Sequence, residues 1–317
     1  MNHDETNALE VITDGINNLP TPIESSLLKA IGQLLGGVVA IPAAWLKRPA
    51  QAIDDVTLAR STVSAIVAKG VAENALKDPA IIQAATEIYL PTVLRKAKNR
   101  AQIARRTVEH TAEQAKSADP AQSTPPDDDW MNQFMRFAED ASSEQLQDLF
   151  SRILSGQLVR PGSFSLATLR IVSELDKSIA DDFSLVWNKS VGTSVDYSDE
   201  FRLGEWFSRW QRLTEAGLMA PTAIHQHLPP FTPVFNGKAV WGPMAAGDVY
   251  LMVYFSQHCQ VNWPHIEFTR VGRQIGSLLA EPDYRTNIRR AGQNFVGKRG
   301  VEKVELHSVG RPVESIV

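Results

Sequence analysis

The stretch from Asp127 to Phe183 constrains the fold more than any other part of this chain. Helix starts, helix breaks and apolar repeats follow one another there without a gap. Ser142 is followed by Gln145, the spacing of a capping box. Leu146, Leu149, Phe150, Ile153, Leu154 and Leu158 then recur at intervals of three and four, so a helix gathers them on one face. Gly156 interrupts this run near its end, and Pro161-Gly162 stops it. Ser165 is read as the N-cap of a second helix that turns Leu166, Leu169, Val172 and Leu175 inward. Asp176 opens a third, with Ile179, Phe183 and Trp187 on its buried side, and Trp130, Phe134 and Phe137 are expected to pack on the entrance. Short helices with tight connections predict a compact bundle over residues 130–190.

These residues also carry a likeness. The run Asp129-Trp130, Phe134, Ser142 to Gln147, Ile153-Leu154-Ser155-Gly156, Pro161-Gly162-Ser163-Phe164-Ser165 and Thr168-Leu169 resembles the bacterial family known as domain of unknown function 2806. The resemblance extends upstream through Pro49 and Arg105-Arg106, and more weakly downstream. It brings no activity that can be assigned to particular residues. Similar segments occur in proteins associated with abortive infection, so what it implies about phage defence is an analogy. Gln157 and Leu158 stand where the family often has an acidic residue, and any chemistry of that acid is missing here.

Upstream, residues 1–116 read as an N-terminal helical region. Within it, 27–46 is almost free of long polar side chains, and as one helix it would reach about 30 Å, the thickness of a bilayer's hydrocarbon core. Gly32 and Gly36 have the spacing that lets helices approach closely in lipid, and Trp45 with Lys47 and Arg48 suits an interface. Pro42 and the glycines fit equally a buried or self-associating helical hairpin, so both readings stand. Gly32, Gly36, Val38 and Trp45 are the candidate contacts with lipid or with a second copy. Further on, Asp78-Pro79 starts a helical segment and Pro91 kinks or restarts it. Arg95, Lys96, Lys98, Arg100, Arg105 and Arg106 then form a basic run. Arg95, Lys96, Arg100, Arg105 and Arg106 are candidates for contact with phosphates or anionic headgroups; the alternative is a solvated face paired with Glu109 and Glu113.

Residues 117–129, rich in Pro, Ser and Asp, read as a linker open to cleavage. After the bundle, a helix from about 199 to 215 is expected to turn Leu203, Trp206, Phe207, Trp210 and Leu213 inward. Asn236-Gly237 between short apolar runs predicts a hairpin, Val249 to Phe255 a strand, and Phe268-Thr269-Arg270 a helix start. This order over 199–282 resembles a winged-helix module. Residues 283–317 read as a basic tail with Arg285, Arg289, Arg290, Lys298, Arg299 and Lys303.

Catalytic signatures are wanting. Gly162-Ser163-Phe164-Ser165 is no nucleophile elbow, and neither a phosphate-binding loop nor a dinucleotide fingerprint occurs. His225, His227, His258, Cys259 and His265 could ligate zinc, but their spacing matches no finger or ribbon. The single cysteine excludes an intramolecular disulfide and fits a reducing compartment. A net charge of −4 argues against nucleic-acid binding by the whole surface, and the polar N-terminus lacks the basic start of a signal peptide.

The sequence thus predicts a mainly α protein with long N-terminal helices, a central short-helix bundle and a C-terminal winged-helix-like α+β module. No enzymatic activity, cofactor or metal is expected. The leading expectation is a binding or assembly protein, cytoplasmic with inner-membrane association, that engages an anionic membrane surface, a protein partner or a second copy in phage defence. The alternative is a cytoplasmic nucleic-acid-binding or regulatory adaptor, marked by binding that weakens steeply with salt.

Overall fold

The computed structural model describes residues 19–35, 87, 90–221, 225–227, 233–234, 238–256 and 262–316. The chain divides into two compact units, Met1–Ser173 and Glu174–Val317. Nine α-helices occur among the described residues, and every described strand lies in the second unit.

In the first unit, α1 (Thr21–Leu35) and α2 (Leu90–Gln114) pack with α3 (Asp128–Ala138) and α4 (Glu144–Val159). The apolar residues of α1 fall on one stripe, and Ile23, Leu27, Ala30, Ile31 and Leu34 are all buried in this unit. Within the candidate membrane segment, Leu27, Ala30, Ile31 and Leu34 are therefore covered by protein. Residues 36–46, with Gly36, Val38 and Trp45, lie outside the described residues, as do Asp78-Pro79. Among the described residues no helix is long and apolar enough to cross a membrane.

Helix α2 buries polar groups along its inner face and satisfies them locally. Thr107 Oγ1 donates to the Ile103 carbonyl at 2.8 Å and Thr111 Oγ1 to that of Thr107 at 2.7 Å, removing the cost of burying two hydroxyls. Asn99 Nδ2 donates to the Glu139 carbonyl at 2.9 Å, and Gln147 Nε2 to the Ala141 carbonyl at 2.9 Å and Asn99 Oδ1 at 3.2 Å. This amide pair locks α2 to the turn between α3 and α4.

Helix α4 starts one residue later than the capping-box spacing suggested. Ser143, not Ser142, is its N-cap, its Oγ accepting from the Leu146 amide at 3.2 Å, while Ser142 is exposed. From Ile153 to Val159 the helix is buried on every side. Helix α5 (Leu166–Glu174) begins at Ser165, whose Oγ accepts from the Thr168 amide at 3.3 Å. It buries Leu169 and Val172 but leaves Leu166 47% exposed, against the expected inward position.

Residues 117–129 are folded into this unit and do not separate two domains. Asp119 caps a 3-10 turn over Pro120–Gln122, the buried Ser123 donates to the Leu158 carbonyl at 2.9 Å, and Asp127 caps α3. Composition misled here because the prolines and aspartates serve as caps and turn residues, not as spacers.

In the second unit, α6 (Lys177–Trp187) and α7 (Glu205–Glu215) are joined through Asp182, which accepts from Arg209 Nε at 2.7 Å and Arg212 Nε at 2.9 Å. That clasp sets the phase of α7. Arg209, Trp210 and Leu213 face inward, whereas Leu203 and Phe207, expected in the core, are 79% and 56% exposed. The helix also starts only after Gly204, whose φ of 64° is left-handed backbone, so Leu203 lies outside it.

Two antiparallel sheets follow. The smaller has the order β1 (Ser194–Asp196), β7 (Trp263–Glu267), β2 (His225–His227). The larger runs β3 (Pro233–Val234), β4 (Lys238–Trp241), β6 (Val249–Ser256), β8 (Val301–Ser308), β9 (Glu314–Ser315), with β5 (Ala245–Ala246) also on β6. Helix α8 (Arg270–Gly276) follows β7, capped by Thr269, and α9 (Tyr284–Gln293) lies against β6 and β8. Alternation in β6 sends Val249, Leu251, Val253 and Phe255 to the covered face, where they meet Ile288, Ala291 and Phe295. Gly292 permits this approach, since a Cβ there would stand 2.8 Å from Leu251 Cδ1.

Residues 283–317 are consequently no tail: they supply α9 and the strand β8 that pairs along the whole of β6. The arginines that suggested a solvated edge hide an apolar stripe of Ile288, Ala291 and Phe295. The bundle expected over 130–190 is likewise divided, with α6 in the second unit.

Candidate functional site

The motif residues of the first unit converge on one aromatic ring. Trp130 Nε1 donates to the Phe164 carbonyl at 2.8 Å, and Gln157 Oε1 accepts from the Phe164 amide at 3.1 Å. The Phe164 ring lies on Gly156, where a Cβ would come within 2.7 Å of Cε2. Gly162, at φ 82°, turns the chain after Pro161, and Ser163 Oγ donates to the Arg160 carbonyl at 2.6 Å. Trp130 stacks on Phe134 at 5.2 Å, and Phe134 meets Phe150 edge-on at 5.6 Å; Ile153, Leu154 and Leu169 close the core around them. No titratable group takes part. Gln157 supplies the acceptor oxygen for the buried Phe164 amide. The motif is a clasp that fixes the loop before α5.

The basic run of α2 is largely engaged with its own unit. Lys96 Nζ meets Glu139 at 2.6 Å and Asp140 at 3.5 Å, Arg105 meets Glu109 at 3.3 Å, and Arg106 meets Glu144 at 3.3 Å and Asp148 at 3.8 Å. Asp148 also takes His110 at 2.9 Å and Arg152 at 2.8 Å. Burial pushes its carboxyl up, but the bonds from His110 and Arg152 outweigh this and hold it below the usual carboxylate range. Arg100 Nε is buried without a hydrogen-bond partner, and Arg95 is exposed. Gly32, in α1, has open space around the position of a Cβ.

The second unit holds a buried acid that the sequence did not single out. Asp196, on β1, accepts from Trp263 Nε1 at 2.8 Å and from Asn294 Nδ2 at 3.0 Å. Burial raises its pKa above the ordinary value, with the donors and nearby Arg290 opposing that rise. Arg290 lies 4.7 Å over the Phe201 ring, and its Nε and Nη2 are buried without hydrogen-bond partners. Beside Asp196, His265 is 2% exposed and stacks on Trp263 at 4.4 Å. Among the described residues no group of three or more His, Cys, Asp or Glu side chains is set to hold a metal.

The other face of the larger sheet is partly exposed, at Tyr250 and Lys303, and buries Glu305. Its outward positions are Tyr250, Met252 and Tyr254 on β6 and Lys303, Glu305 and His307 on β8. Tyr250, 41% exposed, stacks on His307 at 5.0 Å with an interplanar angle of 17°. Lys303 lies 5.9 Å over the Tyr254 ring and pairs with Glu305, which His307 also meets at 3.2 Å. Burial pushes Glu305 up, yet the bonds from Lys303, Tyr254 and His307 bring it below its usual value. A period of two in Val249–Ser256 and Val301–Ser308 was the available signal for this face. The notion of a tail hid the second strand.

Residues 92–225 match the model of the family described as protein of unknown function (DUF2806). The match begins in the first turn of α2 and ends on the first residue of β2. It contains the Phe164 clasp and Asp196 but stops short of Pro49 upstream, and the outward sheet face lies beyond it. No curated protein and no solved structure matches the chain.

Proposed function

We propose that this chain is a non-enzymatic binding and assembly protein, an adaptor that takes up single-stranded nucleic acid on the outward face of its larger sheet. The observation that carries this reading is the exposed Tyr250 ring stacked on His307, beside Tyr254 and Lys303. Flat aromatic surfaces on a sheet receive bases by stacking, whatever their sequence. Because Glu305 neutralises much of the local positive charge, stacking and not phosphate contact supplies the affinity, and the salt dependence is shallow.

The winged-helix form of this adaptor is supported by the order α7, β3–β4 hairpin, β6 and α8. Against DNA reading by α7, Arg209 and Arg212 are committed to Asp182. Membrane engagement rests on residues 36–46 and on Arg95, and the burial of the α1 stripe weighs against it. A role in phage defence, in the cytoplasm or at the inner membrane, rests on the motif likeness alone.

The test is anisotropy of labelled oligothymidylate and oligouridylate with the full chain. Binding that Tyr250→Ala weakens by about 1–3 kcal/mol is expected. Absence of binding to either, or binding indifferent to Tyr250→Ala, overturns the proposal.

A further inference from the structure

The last strand of the second unit is held by two cations on one carboxylate oxygen. Helix α9 carries Arg285 and Arg289 one turn apart, so both guanidiniums lie on the same side of it. Glu314 Oε2 accepts from Arg285 Nη2 at 2.7 Å and from Arg289 Nη2 at 2.6 Å. Arg285 Nη1 also donates to Ser308 Oγ at 2.6 Å. The arginines, Arg289 foremost, hold the Glu314 carboxyl below its usual range. Asp283 also feels the charge of Arg289 but is committed as the N-cap of α9, accepting from the Thr286 amide at 3.0 Å and hydroxyl at 2.7 Å.

This donor set is larger than one carboxylate fills. A guanidinium presents its N–H groups in a rigid planar fork, and Nε and Nη2 lie along one edge of it. In Arg289 the Nη2 end of that edge reaches Glu314, whereas Nε is buried without a hydrogen-bond partner. A second acceptor oxygen beside the first would complete the fork. Ser308 adds a hydroxyl that can donate as well as accept. Two cations with an N–H to spare suit a dianion with several acceptor oxygens better than the single charge of Glu314. Glu314 is also placed to yield, since β9 pairs with β8 only at Glu305 and Leu306 and follows the exposed turn of residues 309–313.

We propose that Arg285, Arg289 and Ser308 form a binding site for a phosphate dianion, free or carried as a monoester, which Glu314 fills as an internal stand-in until the ligand displaces it. The site lies on α9, against the face of the larger sheet opposite Tyr250, and is independent of nucleic-acid binding there.

The experiment is isothermal titration calorimetry of the full-length chain with inorganic phosphate and separately phenyl phosphate, against sodium chloride at matched ionic strength. Saturable binding is expected. Glu314→Gln removes the competing charge and should tighten it at least about tenfold, because the site is then no longer closed for most of the time. Arg285→Ala and Arg289→Ala should each weaken it at least about tenfold, the scale of a hydrogen bond to a charged group. Arg289→Lys keeps the charge without the fork and should weaken it as well. Far-UV circular dichroism verifies each variant, and Glu314→Gln decides the matter if an arginine variant unfolds. Binding of both probes supports a monoester site, and binding of inorganic phosphate alone supports a site for the free ion. No binding by the wild-type chain or Glu314→Gln, binding no tighter in Glu314→Gln than in the wild type, or full affinity in the folded alanine variants each overturns the assignment.

Discussion

Gly156 shows how much of the family motif is steric. The Phe164 ring occupies the space a Cβ would need, so Gly156→Ala must displace the ring or bend α4. The expected cost is about 1–3 kcal/mol in urea unfolding, the range for overpacked cores. Gln157→Glu should be tolerated, because the acceptor for the Phe164 amide persists. Gln157→Leu should cost about 1–3 kcal/mol by leaving that buried amide unpaired, and the same measurement distinguishes them. The two aspartates of the second unit have opposite pH signatures. Asp182 is raised by burial but lowered further by Arg209 and Arg212. Its stabilising contribution is complete above the unfolded value of about 3.9 and is lost as pH falls through its lower folded pKa. Asp196 is raised by burial. Its contribution is complete below about 3.9 and is lost as pH rises through its higher folded pKa. Asp182→Asn should therefore flatten the acid limb of a stability–pH curve, and Asp196→Asn the limb just above the ordinary carboxylate range.

Among the elements, sequence legibility followed the source of each signal. Caps and breakers are local, so the starts at Ser165 and Asp176 and the antiparallel pairing of β3 with β4 could be read from neighbouring residues, Asn236-Gly237 itself lying outside the described residues. Even there a one-residue error entered, since Ser142 and Ser143 offer the same hydroxyl and only the Leu146 amide chooses. The phase of α7 was not legible, because Asp182 sets it from another helix. Nor was the place of 283–317, where the arginines outnumber the apolar residues that bind α9 to β6. Asp196 gave no signal, its donors lying in β7 and after α9. Two outcomes test these corrections. Truncation after residue 282 should unfold the second unit, with loss of its near-UV circular dichroism, because Leu251, Val253 and Phe255 lose their cover. Limited proteolysis followed by mass spectrometry should find residues 117–129 resistant, since Ser123, Pro126 and Trp130 are buried.

For the molecule as a whole, the buried stripe of α1 governs how substitutions there are interpreted. Leu27→Asp should destabilise the first unit by about 3 kcal/mol or more, the scale for an unpaired buried charge, in thermal or urea unfolding. It should do so equally with and without anionic vesicles. The family match itself ends at 225, on β2, whereas the strand between β1 and β2 is β7, drawn from residues 263–267. A polypeptide cut where the similarity stops would keep β1, hold only the first residue of β2, and lose the strand that joins them. β1 would then offer an unpaired backbone edge to any neighbouring chain. Kinship and cooperativity have different boundaries here: the inherited portion completes its sheet only when the later chain returns to fill the middle.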